Sequence, residues 1–273
     1  MSFLSDSKIY DSSGNAILSD SGALAVSDFI ELVQAGIISK HQVMKAFGER
    51  ENVGTTTNGE DVWRGTATTI PTPADAGEQM EVVSTSANDD GNPVGTGIRT
   101  LDVHYLDASG NEGSETITMD GTTPVALIET NIRFVQDMHS ATVGSNGVAE
   151  GDITIYKQGA SSTIYSIIET GGNKAIVPHR MVPLGKKLHM RGWHAEEAQG
   201  KRGAFRIRST DMEGVLLPGV FCFKDAVYLS LSTTGELPVF DVIPALSIVK
   251  VSIWANVAGG EASCGWWGIL VDD

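Results

Sequence analysis

The chain has 273 residues, 41% of them apolar, and a net charge of −15. That length and apolar content suffice for one large β domain or two smaller ones, and the excess of acid excludes nucleic acid as the main partner, because phosphate binding needs a positive surface. No apolar run reaches the roughly eighteen residues of a membrane span, and Met1–Tyr10 lacks the basic and apolar parts of a secretion signal; a protein made in the cytoplasm, without membrane contact, is expected.

Residues 1–23 are rich in Ser, Asp and Gly with little apolar periodicity and read as an extended arm. Two short helices are expected next. The first opens at Ser27 or Asp28, carries Phe29, Ile30, Leu32 and Val33, and stops at Gly36; the second has the capping box Ser39-x-x-Gln42, with Val43, Met44 and Phe47 on one face and Gly48 as its end. Beyond about residue 60 the pattern turns to two-residue alternation. Leu101, Val103 and Tyr105 alternate with Asp102 and His104, the turn Asp107–Asn111 follows, and Thr116–Met119 returns as the second arm of a hairpin. Similar runs recur at 153–156, 164–168, 187–194, 205–208, 220–223, 227–231, 248–255 and 266–271, with glycine-bearing or polar turns between most of them. The reading is an all-β fold: an antiparallel sandwich or jelly-roll-like domain over 51–273 with a subdivision near 180, preceded by an N-terminal arm, 1–50, holding two short helices.

Signs of catalysis are sparse. No G-x-S-x-G surrounds a serine, and Ser145 in Val-Gly-Ser-Asn-Gly reads as a turn; Pro183–Lys187 lacks phosphate-loop spacing. His189, His194, Glu196 and Glu197 stand out as the His/carboxylate cluster, but residues five apart on a regular strand face opposite ways, which argues against one metal. Asp89-Asp90, Glu60-Asp61 and Asp272-Asp273 read as solvated turns, with a calcium loop at Asn88–Asn92 as the alternative. Cys222 and Cys264 have no partner spacing and read as reduced, buried side chains. Trp193, Trp254, Trp266 and Trp267 are either core or sugar-stacking platforms, and one of the adjacent pair Trp266 and Trp267 must face outward. No catalytic, cofactor or metal residue is therefore assigned, and the chain is expected not to be an enzyme. The charge is uneven: nine Lys/Arg against two Glu between Lys174 and Arg208 make a local +7, leaving −22 elsewhere. Arg180, Lys186, Lys187, Arg191, Lys201 and Arg202 are the candidates there for contact with an acidic neighbour.

Met44-Lys-Ala-Phe-Gly-Glu-Arg50, Glu60-Asp-Val-Trp-Arg-Gly65 and Ile70-Pro-Thr-Pro73 are followed in order by 81–87, 95–100, 105–112, 115–124 and Gly268-Ile-Leu-Val-Asp272. This string resembles a group of tailed-bacteriophage virion structural proteins. The resemblance implies a β-rich, jelly-roll-like head decoration (cement) protein binding between capsid subunits, with a neck, tail or baseplate component, or a carbohydrate- or receptor-binding virion module, as alternatives. It implies a virion location, a homotrimer, and the major capsid protein or another virion protein as partner. The arm residues Phe29, Ile30, Leu32, Val33, Val43, Met44 and Phe47 are then the expected anchors, because helices this short gain stability only by burying that face.

Overall fold

A computed structural model describes residues 29–56, 58–199, 201–229, 232–236 and 242–273; the side chains of 29, 229 and 232–236 lie outside the described set. The chain divides after Val43 into two units, and the expected extended arm over 1–23 lies outside the described residues. In the first, helix α1 (Phe29–Gln34) is the first expected helix. Gly36, at φ +70°, ends it in a Schellman motif, with Ile37 N donating to Leu32 O at 3.0 Å and Gly36 N to Val33 O at 3.0 Å.

The strands in chain order are β1 (His41–Val53), β2 (Glu60–Asp61), β3 (Met80–Ser84), β4 (Ile98–Asp107), β5 (Glu112–Thr118), β6 (Val125–Ala126), β7 (Ile132–Val143), β8 (Ile153–Lys157), β9 (Ala160–Ile168) and β10 (Arg180–Met181). They continue with β11 (Lys186–Glu197), β12 (Gly203–Ser209), β13 (Asp211–Met212), β14 (Val215–Leu216), β15 (Cys222–Leu229), β16 (Ser232–Glu236), β17 (Val242–Ile243), β18 (Ile248–Ala255) and β19 (Gly260–Asp272).

The second expected helix is absent: residues 41–53 are strand. Lys40 sits at φ 60°, which breaks a helix at its start, and the segment pairs with β19 instead. Gly48 is no helix cap; a Cβ there would meet Pro178 Cδ at 2.1 Å and Val62 O at 2.9 Å, so the strand needs a residue without a side chain. Tertiary pairing overrides the local helical signal.

Four sheets enclose two main cores. Sheets β1-β19-β11-β16 (β17 beside β11) and β10-β18-β12-β15 (β2 beside β18) share the first, where Leu188, Trp193, Cys264 and Trp266 meet Phe205, Ile207, Val251 and Ile253. Sheets β6-β3-β8-β9 and β5-β4-β7 share the second, where Met80, Val82, Ile155 and Ile168 meet Ile98, Leu101, Ile117 and Met138. The strands of the second core, residues 80–168, are inserted between β2 and β10 of the first. A small third cluster of Leu106, Phe134, Met181 and Ile248 joins them. The fold is thus nearly all β with antiparallel ladders, as expected. It is not the pair of four-stranded sheets of a jelly roll.

Candidate interaction surface

Three pairs of neighbouring acids read as solvated turns, and two of them are buried. Glu60 and Asp61 are 6% and 1% exposed. Arg50 Nε meets Glu60 Oε2 at 2.7 Å, while Arg208 Nη2 and Lys250 Nζ reach the two oxygens of Asp61 at 3.1 and 2.8 Å. Ile70 N also donates to Asp61, at 2.9 Å. Burial pushes the Lys250 ammonium and the Arg208 guanidinium down, and Asp61 opposes that. Asp89, fully buried, turns inward and accepts from Ser84 Oγ, Ile98 N, Glu150 N and Gly151 N at 2.6 to 3.0 Å. Four donors aimed at this carboxylate make it the staple of three loops, so the oxygens a calcium loop would need here are already taken.

The histidine geometry differs from the reading by strand phase. A bulge between Met190 and Gly192 adds a residue to β11 and returns His189 and His194 to one face, opposite Ile269 and Gly265 of β19. Four residues along β19, about 13 Å, still separate them. His194 lies flat over Gly265, where a Cβ would come within 2.4 Å of its Cε1, and stacks between Phe47 (5.9 Å) and Trp267 (6.5 Å). Burial pushes its imidazole down.

Strand pairing brings together a second His/carboxylate cluster that the sequence reading missed. Asp102 and His104 on β4 face His139 and Asp137 on β7, so that each histidine lies opposite an aspartate. The signal was present as two D-x-H tripeptides, Asp102-Val-His104 and Asp137-Met-His139. The rings stack at 5.5 Å, 11° from parallel, and in-plane lone pairs of nearly parallel rings cannot meet on one ion. Asp137 is engaged by Lys174 at 2.8 Å and Arg180 at 3.6 Å. Burial pushes its carboxyl up, but Arg180, Lys174 and His139 outweigh that and hold it below the usual range.

The expected anchors scatter. Val33 is buried and Ile30 and Leu32 are half-buried within the first unit, while the Phe29 side chain lies outside the described residues. On β1, Val43 is half-buried, Met44 packs partly against the first core, and Phe47 is 41% exposed on the outer face. The basic stretch is largely neutralised by its own chain. Arg180 meets Asp137, Lys186 meets Glu112 at 2.9 Å, and Lys187 pairs with Asp273. Lys201 Nζ donates to Ala258 O at 3.0 Å; Arg191 is half-buried and Arg202 exposed. Trp193 and Trp266 are core, whereas Trp254 and Trp267 are half-buried on different sheets and form no common sugar platform. Cys264 is buried, which pushes its thiol up, and Cys222 is half-buried.

Part of what faces outward is apolar. Met212, Val215, Val220, Phe223, Tyr228 and Val242 are all large, exposed side chains from one stretch of sequence. On the outer face of β15, Phe223 lies under the Arg206 guanidinium at 5.2 Å, and Tyr228 stands edge-on to Trp254 at 6.5 Å. Alanine at 204, between Tyr228 and Trp254 in the ladder, leaves room for both rings.

No protein-family description matches the chain, and no curated protein matches it. Among solved structures it is similar to one of the Gt strain of infectious bursal disease virus, at 12% identity over 90% of this chain and 78% of the other, with a TM-score of 0.23. It is similar to the same degree to T=1 particles derived from infectious bursal virus, at 12% identity over 90% and 76% of the two chains, TM-score 0.23. Likeness at that level transfers neither a fold nor a role.

Proposed function

We propose that this chain is a virion structural protein, and within that class a capsid decoration (cement) protein that binds between capsid subunits as a homo-oligomer. The observation that supports the reading is a set of exposed apolar side chains rather than a pocket: Phe223 and Tyr228 on the outer face of β15, with Met212, Val215, Val220 and Val242 from the same stretch of sequence, stand 39–74% exposed. The carboxylates Asp61, Asp89 and Asp211 are meanwhile spent on holding their own chain together. The ordered motifs from Met44 to Pro124 and at Gly268–Asp272 supply the tailed-phage resemblance.

The test is a Phe223→Ser/Tyr228→Ser double variant with purified particles. Both side chains point outward, so the variant is expected to fold with a circular dichroism spectrum and melting temperature close to wild type, yet to be lost from sedimented particles. A chain never found in purified particles ends the virion reading; a particle reconstruction that places it at the neck or tail ends the cement reading alone.

A further inference from the structure

Residues 177–181 carry the chain from the second core back to the first, and both sides grip them. Trp266 Nε1, in the first core, donates to Pro178 O at 2.9 Å. Gln136, on β7, closes two hydrogen bonds with the backbone of Met181, at 2.5 and 3.1 Å. Arg180 Nη1 folds back onto Val177 O and His179 O at 2.9 and 2.8 Å. At the centre sits His179, 3% exposed, its ring 5.0 Å from Phe134 and neither nitrogen hydrogen-bonded to the protein. It shares with Gln136, Asp137, Tyr165, Ser166 and Arg180 a partly open cavity of about 10 Å³, room for a single water-sized group.

We propose that His179 is an acid-sensitive latch: neutral, it lets the two cores close over the small third cluster, and protonated, it drives residues 177–181 out of that junction while both cores stay folded. Its charged surroundings favour that sign. Arg180 on its own segment, Lys250 on β18 and Arg208 on β12 are cations. The acids nearby, Asp61 on β2 and Asp137 on β7, are engaged by Lys250 and Arg208 and by Arg180 and Lys174 respectively. From β9, Tyr165 contributes a phenol bound to Glu78. An imidazolium formed here would be a further buried cation without an uncommitted acid beside it. Burial first, then Lys250, Arg180 and Arg208, push the imidazole well below its ordinary value. With the folded value depressed, stability is present above the ordinary histidine range, near pH 6.5, and is lost as pH falls below it, because the open state takes up the proton first. Opening is local because the third cluster buries only four apolar side chains, against the much larger sets of the two cores.

The test is amide hydrogen exchange on the full chain between about pH 7.5 and about pH 5.5, corrected for intrinsic rates. The amides of Met181, Val182 and Leu246 are expected to lose protection by up to about tenfold, the limit for one histidine with an open-state value near 6.5, while those of Ile155 and Trp266 keep theirs. His179→Phe, which fills the site beside Phe134 without a titrating group, is expected to abolish the pH effect. His139→Gln, which removes the other histidine near Asp137, is expected to leave it intact. The latch is overturned if the wild type shows no local change, if both cores loosen together with the junction, or if His179→Phe retains the effect. Should that variant not fold, the ¹⁵N shifts of the His179 ring in the wild type decide: protonation coincident with opening supports the latch, and opening while the ring stays neutral overturns it.

Discussion

Asp61 and Asp89 are equally hidden from water and are satisfied in opposite ways. Asp61 is neutralised by two cations from strands far along the chain, Arg208 and Lys250, and ties β2 across β18 to β12. Asp89 meets no cation; it is held by a serine hydroxyl and three backbone amides. Removing Asp61 strands one buried and one half-buried positive charge, whereas removing Asp89 strands only neutral donors, each less costly to leave unpaired. The same side chain thus serves as a counter-ion between strands in one place and as a loop staple in the other.

The sharpest way to break this comparison is Asp61→Ala. It is expected to cost about 3–5 kcal/mol in denaturant unfolding, because the buried Lys250 and the half-buried Arg208 are left without a carboxylate. The triple replacement Asp61→Leu/Arg208→Met/Lys250→Met is expected to recover most of that loss, since apolar side chains of similar volume often replace a buried ionic cluster at little cost. A triple variant as unstable as the single one would mean that Asp61 does more than balance charge.

Asp89→Ala is expected to cost less, about 1–3 kcal/mol, the penalty for buried donors left without an acceptor. Amide exchange at Ile98 and Gly151 should rise in this variant and remain unchanged in Asp61→Ala. A larger loss for Asp89 than for Asp61 would reverse the comparison.

At the surface the counter-ion arrangement loses its force. Arg64 bridges Glu49 and Glu51 on β1, both at 2.6 Å, and Glu169 after β9 at 3.1 Å, with a fifth of its side chain open to solvent. Arg64→Ala is expected to cost about 0–1 kcal/mol, and less at about 1 M salt, where the Debye length is about 3 Å. A salt-independent loss of several kcal/mol would show that this cluster behaves like Asp61.

How much of this was legible in the sequence depended on whether the determinants were local. The β4–β5 hairpin was readable because its turn is self-contained: Asp107 accepts from Ser109 N and Asn111 N, so Asp107–Asn111 specifies the reversal wherever it stands. Ile248–Ala255 is a strand at the expected bounds. β1 was not readable, because Val43, Met44 and Phe47 repeat at helical spacing and the segment is strand through its pairing with β19, more than two hundred residues away. β7 carries register shifts against β4 that interrupt its alternation, and the β11 bulge moved His194 across the sheet. The charged surroundings of His179 come from Lys250 and Arg208, which no spacing rule connects to it. The paired D-x-H tripeptides, by contrast, could have been found by searching strands for matching motifs.

Glu115 offers the smallest and most selective test, because it repeats the Asp89 arrangement half in solvent. Its carboxylate accepts from Ile128 N at 2.7 Å and Glu129 N at 2.8 Å, and from the Tyr105 hydroxyl at 3.3 Å. Burial, then the charge of Glu115 and its hydrogen bond, push the Tyr105 phenol up to about 12. Since the folded value lies above that of an unfolded tyrosine, near 10, the stabilising effect is complete below about pH 10 and is lost as pH rises through the folded value, where the folded chain must also lose the proton. Spectrophotometric titration should therefore show a phenol ionising above the ordinary range near 10 that disappears in Tyr105→Phe, and that variant should flatten the alkaline fall in stability while leaving neutral-pH stability within about 1 kcal/mol. A Glu115→Gln variant separates the causes: it removes the charge beside the phenol and keeps an acceptor, so the phenol should come down but stay above its ordinary value, because burial, the largest cause, persists. If Tyr105 titrates as an ordinary phenol near 10 in the wild type, a carboxylate held by backbone amides in partial solvent does not govern its neighbour, and the likeness between Glu115 and Asp89 is one of geometry alone.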